Sequence, residues 1–146
     1  MPLTLLASAA RTASGNASIT AIQHPESVRS AVFTLDVTAA ATEVGDLLDV
    51  YVQHSPDGGT TWDDFIHFTQ VLGNGGAKRF LASWRGDVVP ETEMKAPGDA
   101  TLAAGAVVQG PVGKSWRVKW VVVDAGTVNA SFTFSLSADI SLYGRR

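Results

Sequence analysis

The side chains suited to chemistry are few and dispersed. The 146 residues include three histidines (His24, His54 and His67), 14 acidic residues and no cysteine. Without cysteine, thiolate nucleophiles, thiolate metal sites and disulfides are excluded. A zinc site requires histidines and carboxylates that converge at ligand spacing; the three histidines are scattered, and no metal site is expected. Asp63 and Asp64 are adjacent, so on a strand they point to opposite faces, whereas paired-carboxylate hydrolysis needs two groups facing each other across a cleft. No G-x-S-x-G, Walker loop or H-E-x-x-H occurs in the chain. Gly73-Asn-Gly-Gly76 leads into a strand rather than a helix, so it lacks the context of a phosphate site. The expectation is a protein that is not an enzyme, with no catalytic residue and no cofactor.

The most distinctive local motif is Ser55-Pro-Asp-Gly-Gly-Thr-Thr-Trp62. It resembles the Asp-box, S-x-D-x-G-x-T-W, of hairpin turns in sialidases and other β-propellers. Its physics is local. The Asp57 carboxylate can accept backbone N–H groups across the turn. Gly58 and Gly59 supply positive φ, and Trp62 opens the return strand and packs beneath the turn. In propellers the box recurs blade after blade. Here it occurs once, so Ser55, Asp57, Gly58, Gly59 and Trp62 are read as a turn-stabilising device, with no sialidase activity attached.

Four tryptophans raise the question of a stacking platform for sugars. Trp62, Trp116 and Trp120 fall at positions expected to face inward, so core packing is their expected role. Trp84 sits beside Arg85 at the mouth of a long loop and is expected to be exposed or at an interface. Further interface candidates are Pro90, Met94 and Pro97 in that loop, and the basic ends Arg11, Arg145 and Arg146 of an acidic protein, which suit docking on an acidic neighbouring subunit.

These residues must be held by strands. Ala130, Phe132, Phe134, Leu136, Ala138, Ile140 and Leu142 alternate with Asn129 and a run of Ser, Thr and Asp, a period of two that predicts a long strand with one hydroxyl-rich face. Trp116–Val123 alternates likewise, and the short Asp124–Thr127 turn between them predicts an antiparallel hairpin. Upstream, 31–38, 48–53, 62–68 and 78–84 read as strands, with 17–22 a weaker one. Phe33, Leu35, Val37, Leu48, Val50, Val52, Trp62, Ile66 and Phe68 are the expected core. Residues 87–114 hold Pro90, Pro97, Pro111 and four glycines and read as a long excursion with a short strand near 106–109; loops of that length are usually functional or poorly ordered. No apolar 3.6-residue repeat is sustained, so no helix is expected. The predicted architecture is an all-β antiparallel sandwich, jelly-roll or Ig-like, of seven to eight strands. Residues 1–16 would form an N-terminal arm or edge strand, and 17–146 the sandwich domain with its loop insertion at 87–114. Met1–Ala10 lacks a basic n-region and is read as that arm rather than as a secretory signal.

Composition bounds the rest. Charged residues are 17% of the chain against about 25% as a norm, which suits a surface partly covered by a partner. The net charge is −3 with no Lys/Arg run, so nucleic acid has no electrostatic footprint. No apolar run reaches the ~18 residues of a membrane-spanning helix, and no membrane partner is expected.

Four stretches together carry a family likeness: Leu5–Ser14, Phe33–Ala39, Leu48–Asp64, and Trp116–Trp120 with Ser131–Ser135. In them the chain resembles a family of small virion proteins of tailed bacteriophages. The resemblance implies a β-sandwich without catalytic residues that serves as a capsid decoration (cement) protein, or alternatively as a minor tail or head–tail completion component. It implies a homo-oligomer, a trimer first, bound to the major capsid protein or other virion subunits. The protein would be made in the host cytoplasm and reside in the virion, on the capsid surface rather than the tail. The 87–114 excursion departs from the compact pattern of that family. A carbohydrate-binding module for host recognition is the alternative of a different class, motivated by the sandwich and the tryptophans.

Overall fold

The computed structural model describes residues 2–89 and 98–144. Pro90, Met94, Pro97, Arg145 and Arg146 lie outside the described residues. The strands are β1 (Pro2–Arg11), β2 (Gly15–Ser18), β3 (Val28–Ala39), β4 (Leu47–Ser55), β5 (Asp63–His67), β6 (Val71–Leu72), β7 (Lys78–Arg85), β8 (Ser115–Val123) and β9 (Phe132–Leu142), with one 3-10 turn at Pro25–Ser27. They form two antiparallel sheets: sheet A in the order β1-β9-β3-β7, and sheet B in the order β2-β8-β4-β5, with β6 also on β4. The all-β sandwich expected from the alternation is the observed fold. The described residues hold nine strands rather than seven or eight: the alternation misses the two-residue β6, and β1, within the stretch read as an arm or edge strand, pairs with β9 at the edge of sheet A.

The period-two pattern works as expected where it is cleanest. Phe33, Leu35 and Val37 of β3, Phe132, Phe134 and Leu136 of β9, and Leu48 and Val52 of β4 are fully buried between the sheets. Most of their neighbours in sequence are polar residues of the outer faces. An aromatic cluster fills the centre. The ring of Phe65 lies 5.6 Å from Trp84 and 5.3 Å from Trp116, and Trp84 meets Trp116 edge-on at 5.4 Å.

Three expectations are corrected. First, β8 and β9 do not form a hairpin: β8 pairs with β2 and β4 in sheet B, and β9 with β1 and β3 in sheet A. The connection between them crosses from one sheet to the other. It is held by carboxylates: Ala125 N donates to Asp46 Oδ1 at 2.9 Å, and the Thr127 and Val128 amides donate to Glu43. Alternation reports which face a residue takes, not which strand it pairs with. Second, Trp84 is 2% exposed and belongs to the core, because its partner across the ladder is the inward-facing Ala31. Third, Trp62 is only half buried, whereas Trp120 faces inward as expected and packs against the core with part of its ring exposed. The register of β5 slips between Val52↔Ile66 and Gln53↔Asp64, so Phe65 is an extra residue on that strand. Such a bulge places two consecutive side chains on one face, and both Phe65 and Ile66 are fully buried.

Candidate functional site

The Asp57 turn is built from its own side chains. The Ser55 hydroxyl donates to Asp57 Oδ1 at 2.8 Å and accepts the Gly59 amide at 2.7 Å. Asp57 also takes the amides of Thr60 and Thr61 and the Thr61 hydroxyl. Gly58 and Gly59 have φ of 75° and 105°, the left-handed region that glycine tolerates. The Thr61 amide and hydroxyl and the Ser55 hydroxyl hold the Asp57 carboxyl down at about 2, because each bond favours the ionised form. Every oxygen of this carboxylate is thus engaged in shaping the turn between β4 and β5. Trp62 begins the return, and the Arg117 guanidinium lies 4.4 Å over its ring.

The outer face of sheet B carries a constellation that the motif survey missed. Asp49, Tyr51 and Gln53 are the outward residues of β4, and Asp64 and His67 stand beside them on β5. Residues 98–113 fold back over this face as a strap. Gly98 O, Ala106 O and the Gly105 and Val108 amides make ladder-like bonds to Asp64, His67 and Phe65 of β5. The strap thereby covers the free edge of β5, and Val107 forms an isolated bridge with Ile66 inside the expected 106–109 stretch. Beneath it, Asp64 accepts the amides of Ala100, Thr101 and Leu102 at 2.7–3.0 Å and the Gln53 amide at 2.7 Å. Gln53, fully buried, also donates to Asp99 and accepts from Arg117 Nε. Lys119 Nζ closes the network on Asp99 at 2.7 Å.

His67, 5% exposed, directs Nε2 at Asp49 Oδ1 (2.9 Å) and Nδ1 at the Leu102 carbonyl (2.7 Å). Its ring stacks on Tyr51 with centroids 4.0 Å apart. Burial pushes the Tyr51 phenol up to about 12, with the charges of Asp49, Asp64 and Asp99 adding to it. An Asp–His pair resembles half of a general-base unit, but a base needs a free ring nitrogen toward its substrate. Both nitrogens here face the protein. The network's chemistry is spent on holding the strap. The sequence signal that points to it is the spacing by two of Asp49, Tyr51 and Gln53, three large polar side chains on one strand face.

Both flanks of the sandwich are closed by side chains. At β7, the Gln109 amide takes the place of a strand: Arg85 N donates to its Oε1 at 2.6 Å, and its Nε2 donates to Ser83 O at 2.9 Å. At the opposite flank, Arg11 donates to the carbonyls of Ala7, Ala9 and Phe134. These carbonyls lie where the β1–β9 register shifts between Leu6 and Ala9. The same guanidinium lies 4.4 Å from the Phe134 ring and 5.0 Å from that of Trp120. Arg11, expected at a subunit interface, is half buried and bridges the two sheets within the chain. Arg85 is exposed and shares Asp87 with Arg29.

Among the described residues, no segment packs over the outer face of sheet A. Ser30, Val32, Ser83, Arg85, Asp139 and Ser141 line a shallow depression of about 360 Å³. Val32 is 41% and Leu81 62% exposed on this face, amid threonine and serine hydroxyls. Elsewhere, carboxylate oxygens of Glu43, Asp46 and Asp124 lie within 4.8 Å of one another. Two of these three carboxylates already bind the amides of the β8–β9 crossover. No protein-family model matches the chain, and no curated protein or solved structure is significantly similar to it.

Proposed function

We propose that the chain is a structural subunit of a tailed-bacteriophage virion, a decoration protein that docks on the capsid through the outer face of sheet A. The observation that carries this reading is the division of labour between the two faces. On sheet B the ionisable groups are consumed by the strap. On sheet A, β1, β9, β3 and β7 present serine and threonine hydroxyls with Val32 and Leu81 exposed among them. Four strands about 4.8 Å apart and about eight residues long offer roughly 500 Å² in projection, a large part of the ~800 Å² per partner that a specific interface buries. The family resemblance of the four sequence stretches supports the same reading.

The glycan-binding alternative loses its main support. Trp84 and Trp116 are core residues, Trp62 lies under Arg117, and Trp120 lies under Arg11 with its Nε1 bonded to Ala13 O. None of the four is arranged as an open platform. The test is quantitative mass spectrometry of purified particles, followed by electron microscopy of the shell. Hundreds of copies with sandwich-shaped density on the capsid support decoration. A handful of copies means a vertex, neck or tail component, and absence from particles defeats the virion reading altogether.

A further inference from the structure

We propose that His67 is a proton-operated latch for the first part of the strap: as imidazolium it ties the Leu102 carbonyl to Asp49 of β4, and as neutral imidazole it holds only one of the two. This inference does not depend on the virion reading.

Both atoms facing the ring are acceptors. A carbonyl oxygen has no hydrogen to give, and an ionised carboxylate accepts only. The imidazolium donates from both nitrogens and satisfies both. A neutral ring donates from one and turns a lone pair toward the other acceptor, 2.7 or 2.9 Å away. The ring cannot evade this by tilting, since it is stacked on Tyr51 and 5% exposed. The two contacts do not yield equally. Asp49 lies within β4, paired with Val121 of β8, and also takes the Gln70 amide at 3.0 Å. Leu102 lies on the strap, outside any strand. The Leu102 side is the one that opens.

The charged and titratable groups around the ring come from every packed element. β4 supplies Asp49 and Tyr51, β5 supplies Asp64, and the strap supplies Asp99. β8 supplies Lys119, the ladder partner of Tyr51, and Arg117, both bound to Asp99. Burial favours the neutral ring, but the bonds to Asp49 and the Leu102 carbonyl and the charges of Asp49 and Asp64 outweigh it, holding His67 above its ordinary value of 6.5. Asp49 opposes its own burial in the same way and is held low by His67 and Gln70. A group raised on folding gives its stabilisation fully below the unfolded value and loses it as pH rises through the folded one. The latch is closed below the ordinary histidine value of 6.5 and opens as pH rises through the raised His67 value. Opening frees the Leu102 carbonyl while Asp64 still holds the Ala100, Thr101 and Leu102 amides, so the strap over Tyr51 and Gln53 loosens without detaching.

The test uses the full chain labelled with nitrogen-15, between about pH 5 and 9, a range that brackets the histidine titration. Ring-nitrogen shifts report the protonation of His67, and amide exchange corrected for intrinsic rates reports protection at Thr101, Leu102 and Gly105. The expected result is a doubly protonated ring below the ordinary histidine value of 6.5 and a loss of strap protection through the His67 titration. That loss is about tenfold for each pH unit by which the fold raises His67, while β3 and β9 amides stay level. Asp49→Asn supplies the second arm. The carboxamide introduced by this substitution can donate to Nε2 of a neutral ring while Nδ1–H keeps Leu102, so the titration should move down and strap protection should become independent of pH. A singly protonated ring at about pH 6, level strap protection through the titration, or an unchanged pH response in Asp49→Asn would each overturn the latch.

Discussion

Replacing Asp64 with alanine removes the main polar anchor of the strap, and its cost can be worked from the contacts. The wild-type carboxylate takes three strap amides, from Ala100, Thr101 and Leu102, at 2.7–3.0 Å. A hydrogen bond to a charged group is worth about 1.5–3 kcal/mol when sheltered. Asp64 is half buried and the freed amides can turn to water, so each bond counts at the roughly 1 kcal/mol of an ordinary hydrogen bond rather than at the charged-group value. Gln53 loses one acceptor but keeps Asp99. The expected cost is about 2–4 kcal/mol, concentrated in residues 98–105, because the sheets are held by other contacts. Amide exchange should accelerate on the order of a hundredfold at Leu102 and Gly105 and change little at Phe33 or Leu136. Asp63→Asn is the control, since the neighbouring carboxylate anchors no strap amide among the described residues. Equal acceleration in β3 and β9, or no acceleration in the strap, would refute the assignment of Asp64 as a strap anchor.

Other substitutions test the core, the flank and the turn. Trp84 Nε1 is buried without a hydrogen-bond partner among the described residues, whereas Trp116 Nε1 donates to Gly113 O at 2.9 Å. Trp116→Phe should therefore cost about 1–2 kcal/mol more than Trp84→Phe in urea unfolding, and equal costs would contradict the hydrogen-bond assignment. Arg11→Met leaves the carbonyls of Ala7, Ala9 and Phe134 without their donor and should destabilise by about 1–3 kcal/mol. Arg11→Lys should rescue it only in part, because a lysine lacks the planar fork; full rescue would show that charge alone matters. Asp57 is depressed to about 2, so its contribution is complete above the unfolded carboxylate range and lost as pH falls toward 2. Thermal melts from about pH 5 down to about 2 should fall more steeply for the wild type than for Asp57→Asn, and parallel curves would argue against the turn assignment.

The sequence alone determined the class of fold and the faces of most strands. Clean alternation in β3, β4 and β9 identifies Phe33, Leu35, Val52, Phe134 and Leu136 as core residues, because a period of two leaves no other face for them. The Ser55–Trp62 turn was equally legible, since its bonds run between residues at most four apart. Tertiary structure alone decided the rest. Only the register slip in β5 turns Phe65 inward, and only the pairing of β8 with β4 separates it from β9. Only the return of residues 98–113 brings Leu102 onto His67 and Gln109 onto the β7 edge. Those contacts span 24 to 35 residues in sequence. Local periodicity records which face a side chain takes, and it holds no information about which distant segment lies against that face.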